Sequence, residues 1–67
     1  MNFIELTRKD ETPVSFCVVN IAWFEPAKGG GTSVYMNVVN MNNHPYLIEV
    51  KEEYKTVKSL VQQWKLR

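Results

Sequence analysis

Cysteine, histidine, proline and glycine are all scarce in this 67-residue chain, and its formal net charge is only +1. A single cysteine, Cys17, excludes an internal disulfide framework and a cysteine-cluster zinc site, and it fits a reducing compartment. Eight Lys and Arg against seven Asp and Glu exclude the global field that drives non-specific binding to nucleic acid or membranes. No apolar run approaches the roughly 18 residues of a membrane span. The opening residues Met1 to Thr7 lack the basic and then apolar segments of a secretory leader, so a soluble cytoplasmic protein is expected. The three glycines fall together at Gly29-Gly30-Gly31, and no repeat or low-complexity tract is present.

What is abundant is material for a core. The chain is 45% hydrophobic, with two Trp, three Tyr and three Phe. A chain of this size buries only about 60% of the surface that it exposes when unfolded. Most of those side chains are therefore needed inside one small domain spanning residues 1–67.

The patterning gives five strands and a helix. Ile4 and Leu6 alternate with Glu5 and Thr7, Arg8 to Glu11 is polar enough to turn, and Pro13 opens a second strand through Val14 and Phe16; together they predict a hairpin. Val18 to Phe24 is apolar nearly throughout, so a break is placed near Val18 to Asn20. The next strand then has Ile21 and Trp23 on one face and Ala22 and Phe24 on the other, as in a central or curled strand. Pro26 to Gly31 is a loop, after which Val34, Met36 and Val38 share a face. Asn40 to Pro45 gathers turn formers, and Tyr46, Ile48 and Val50 alternate in the last strand.

From Tyr54 the period becomes helical. Tyr54, Val57, Leu60, Val61 and Trp64 make one apolar stripe, with Glu52 and Glu53 before it and Lys65 and Arg67 after it, all favourable to the helix dipole. The expected fold is α+β: a small antiparallel sheet or partly open barrel of about five strands, capped by one C-terminal amphipathic helix. Leu60 and Trp64 are expected to be mostly buried against Ile4, Leu6 and Ile48.

The order and spacing of these elements resemble the FlbD-like proteins, a family of small proteins associated with flagellar and swarming motility and found also as short bacterial and phage proteins. The resemblance is carried by Phe3-Ile4-Glu5-Leu6-Thr7, Pro13-Val14, Ile21-Ala22-Trp23-Phe24-Glu25-Pro26, Thr32-Ser33-Val34 and Ile48-Glu49-Val50-Lys51-Glu52, followed by Tyr54 and Val57. Where the family turns its first hairpin through glycine, this chain has Asp10-Glu11, and its second turn, Asn40 to Pro45, is longer. The resemblance implies the fold and an accessory role near the flagellar motor, and it brings no catalytic residues.

Few side chains point to chemistry. His44 sits in a turn before Pro45 and reads as a solvated polar residue. Cys17, between Phe16 and Val18, reads as a small buried hydrophobe of low reactivity. The glycine run precedes Thr32-Ser33 but opens a strand, whereas a phosphate-binding loop opens a helix. Glu5, Glu25 and Glu49 occur singly and read as solvated strand residues. No catalytic, metal or cofactor site is expected.

A non-catalytic protein-interaction module is the favoured reading, either an accessory protein of the flagellar motor or a phage or mobile-element protein. Phe3, Phe24, Tyr35, Val39 and Leu47 lie opposite the principal apolar alternation and are the candidate contact residues, with Trp23 assigned to packing. Open sheet edges predict self-association into a homo-oligomer. The alternative is a small RNA- or DNA-binding barrel that uses a basic band of Lys51, Lys55, Lys58 and Lys65.

Overall fold

Residues 2–65 are described by a computed structural model, except for the side chain of Lys65. Strand β1 (Phe3–Thr7) pairs antiparallel with β2 (Pro13–Cys17). Alternation sends Ile4, Leu6 and Phe16 into the core and leaves Phe3, Glu5 and Ser15 outside. The turn between them works without glycine. The N–H of Arg8 donates to the Thr12 carbonyl at 2.8 Å, and the Asp10 carboxylate accepts the Thr12 N–H at 3.1 Å and its hydroxyl at 2.6 Å. Glu11 takes the left-handed position, with φ at 76°.

A 3-10 turn, Val18–Asn20, breaks the apolar run where the sequence places the break, and its Val18 is buried. Three strands follow, β3 (Ile21–Pro26), β4 (Thr32–Val39) and β5 (Pro45–Val50), in the order β3-β4-β5. β3 is therefore an edge strand of its sheet, not a central one. Ile21 pairs with Met36 and Trp23 with Tyr35, so Ala22 is one residue too many for the ladder. That bulge rephases the strand. Ile21 and Phe24 both pack on the core, and Trp23 faces outward. The expected pairing of Ile21 with Trp23 on one face is thereby corrected.

The second hairpin turns through Asn40 to His44. Asn40 Oδ1 accepts the N–H groups of Asn42 and His44 at 2.8 and 3.2 Å, while Asn43 adopts φ of 62°. β4 and β5 run beyond the core towards this tip, which leaves Val38, Val39 and Tyr46 exposed despite their alternation.

The two sheets meet along a short seam. Arg8 bridges Val50, and the Lys51 N–H donates to the Thr7 carbonyl at 2.8 Å. Glu52 reinforces the seam by accepting the Thr7 N–H and hydroxyl, each at 2.9 Å. Glu53 reaches back to the Gly31 N–H at 3.3 Å. These two carboxylates therefore precede the helix and hold strands together, where dipole contacts were expected. Gly31 lies at φ of 79°, and a Cβ there would stand 2.3 Å from the Val50 carbonyl oxygen.

Helix α1 (Tyr54–Lys65) closes the core. Val57 and Val61, four residues apart, are fully inside, while Leu60 and Trp64 are half-buried at the margin. The docked stripe is thus centred on the valines, one position round from the expected Leu60 and Trp64. One cluster joins Ile4, Leu6, Phe16, Val18, Val34, Val50, Val57 and Val61. Arg67 lies outside the described residues. Among the described residues no helix is long and apolar enough to cross a membrane.

Candidate functional site

The outer face of β3-β4-β5 carries an organised set of exposed side chains. Trp23, Tyr35 and Leu47 are register partners across the three strands, so they form one row on the side away from the core. The Trp23 and Tyr35 rings stack with centroids 4.4 Å apart and planes 13° from parallel. Such stacking is worth about 0.5–1.5 kcal/mol beyond area burial, a bias towards this arrangement of the two rings. Trp23 is 45% exposed and Leu47 47%.

A second row lies two residues along each strand, where Glu25 and Glu49 flank Ser33. The Trp23 Nε1–H donates to Glu25 Oε1 at 3.2 Å, and the Ser33 hydroxyl donates to Glu49 Oε2 at 3.5 Å. The aromatic row and the acidic row are thus tied to each other and to the strand ladder. β3, β4 and β5 contain no Lys or Arg.

At the β5 side the row runs into an open groove of about 580 Å³ between β5 and the β1–β2 turn, lined by Arg8, Lys9, Asp10, Leu47, Ile48 and Glu49. The groove exists because, among the described residues, the chain just after β1 meets β5 at a single bridge, Arg8 with Val50, after which the turn diverges. Arg8 Nη1 donates to the Pro13 carbonyl at 3.0 Å, and Lys9 Nζ donates to the Gly30 carbonyl at 3.0 Å.

The five candidate contact residues do not converge as a set. Tyr35 and Leu47 meet in the row, Val39 is exposed near the β4–β5 tip, and Phe3 is exposed on the outer face of the other sheet. Phe24 is turned inward by the bulge and packs against the core, its ring 5.5 Å from that of Tyr54. It is not a surface contact. Trp23 takes its place, and only the bulge at Ala22 reveals this, since the run Ile21 to Phe24 is apolar at every position.

The basic band divides between the seam and the helix. Lys51 forms an ion pair with Glu11 across the seam, while Lys55 and Lys58 are exposed on α1; the Lys65 side chain lies outside the described residues. His44 is exposed in its turn. Cys17 is half-buried opposite Phe3, on the outer side of its hairpin, and is therefore not the core residue expected from its apolar neighbours.

No protein-family model, curated protein or solved structure matches the chain.

Proposed function

We propose that the protein is a non-catalytic protein-interaction module that docks a partner on the outer face of β3-β4-β5. The observation that carries this reading is the Trp23–Tyr35–Leu47 row, an ordered apolar ladder with both ends nearly half exposed. Aromatic side chains held rigid on strands lose little entropy on binding, which is why they dominate contact energy in interfaces. The resemblance to FlbD-like proteins extends the proposal to an accessory role at the flagellar motor, or in a phage, within the cytoplasm.

Nucleic acid draws weaker support. Glu25 and Glu49 would repel phosphates on this face, and on the other side Lys51 is already paired with Glu11. Self-association is a second reading, favoured by the open edges of β2 and β3, whose unpaired backbone groups suit strand addition.

The test is a photo-crosslinking amino acid placed at Leu47 and, separately, at Lys58, in the native host. Discrete protein adducts from position 47, abolished by Trp23→Ser, support the reading. Adducts to nucleic acid, or equal adducts from both positions, would overturn it. Light scattering over a concentration series decides self-association: a mass near 7.8 kDa throughout would remove it.

A further inference from the structure

The Trp23 ring has one face against Tyr35 and the other on the side of β3 that has no neighbouring strand among the described residues. Beside it, Glu25 spends one oxygen on the indole N–H, and Glu49 one oxygen on Ser33. The second oxygen of each carboxylate has no protein donor among the described residues. Neither glutamate has a basic group within ion-pair distance among those residues. Arg8 and Lys9, on the far wall of the groove, are engaged with the Pro13 and Gly30 carbonyls. An electron-rich ring face and the Glu25 carboxylate, with no ion-pair partner among the described residues, therefore share one surface; Glu49 stands about 9–10 Å away across β4 by Cα spacing, beside the groove that Arg8 and Lys9 also line.

We propose that this face recognises an arginine-bearing extended segment of a partner protein, with a guanidinium seated on the open face of Trp23 and hydrogen-bonded to Glu25. The proposal rests on the docking reading above and names the chemistry of the partner. A guanidinium is planar, so it stacks on an indole while its N–H groups remain in plane to donate to a carboxylate. An ammonium does only one of these well. The segment is extended because the β3 edge offers unpaired backbone groups next to Trp23. Glu49 serves a second cation or the peptide amides, and Leu47 takes an apolar side chain at the mouth of the groove. A second copy laid face to face would bring four carboxylates together with no cation from β3, β4 or β5 of either, and we therefore assign the occupant to a different chain.

The experiment uses the full chain labelled with nitrogen-15, titrated with acetyl-Leu-Arg-Val-Arg-Leu-amide and with the same peptide carrying Gln in place of Arg. The arginine peptide should shift the indole signal of Trp23 and the amides of Glu25, Tyr35 and Leu47, and leave the Trp64 indole in place. Its affinity should exceed that of the glutamine peptide by roughly tenfold, as expected for an exposed cation–π contact joined to a carboxylate. Glu25→Gln keeps an acceptor for the indole and should lower arginine-peptide affinity by about fivefold without moving the melting curve. Equal binding of both peptides at Trp23 would overturn the arginine inference and leave the docking reading standing. No shift at Trp23 with either peptide would overturn both. Trp23 signals that move with protein concentration alone would show a second copy on this face and overturn the inference.

Discussion

The Thr12 hydroxyl and N–H, both donated to the Asp10 carboxylate, hold its pKa below the ordinary 3.8, because hydrogen bonds to the charged form favour it. The folded value is depressed, so the contribution to stability is present above the unfolded value and is lost as pH falls through the folded one. We predict an Asp10 carboxyl titration by NMR with its midpoint below 3.8, returning upward in Thr12→Val; a midpoint at the ordinary value in both would refute the turn geometry. Glycine positions are equally particular. A Cβ at Gly31 would meet the Val50 carbonyl oxygen at 2.3 Å and Lys9 Nζ at 2.8 Å, whereas at Gly29 it would meet nothing within 4 Å. Both residues have positive φ, so Gly29→Ala should cost only the backbone term, about 1 kcal/mol, and Gly31→Ala at least about 2 kcal/mol more. Denaturant melts of the two variants make the comparison, and equal losses would argue against the packed seam.

Among the elements, α1 supplies Val57 and Val61 to the core from its one apolar stripe. We predict that Val57→Ala costs roughly 2 kcal/mol and Lys58→Ala less than about 0.5 kcal/mol. A chain ending at Ser59 should lose its cooperative melt, and one that melted like the parent would show that the helix does not seal the core. The helix, the first hairpin and the break at Val18–Asn20 were legible in the sequence because each has a period or a polar interruption of its own. β3 was not. Its four consecutive apolar residues carry no phase, and a bulge changes which of them face inward without changing composition. The candidate site inherited that ambiguity: Tyr35 and Leu47 were found by alternation, while Trp23 and Phe24 exchanged places. Leu60 and Trp64 fell at the margin for a related reason. A five-residue stripe fixes a face, but the width of the docking surface decides which residues form its centre.

On the scale of the molecule, neighbouring strands in the sheets are neighbours in sequence, and the seam of Thr7 and Arg8 with Val50, Lys51 and Glu52 joins the two sheets. Hairpin contacts close small loops at low entropic cost, whereas the seam closes a loop of more than forty residues. Local pairing should therefore come first during folding, and the seam should form after the rate-limiting barrier. Glu52→Ala removes two hydrogen bonds to a charged group, each worth about 1.5–3 kcal/mol, and tests this order. We predict that it speeds unfolding by roughly tenfold or more and leaves the refolding limb of the chevron nearly unchanged; a refolding limb slowed in proportion would place the seam in the nucleus. The same seam, together with the Ile4, Leu6 and Phe16 contacts behind it, sets how readily the first hairpin parts from β5, so in Glu52→Ala proteolytic nicking should begin at the β5 edge and at the loop before α1.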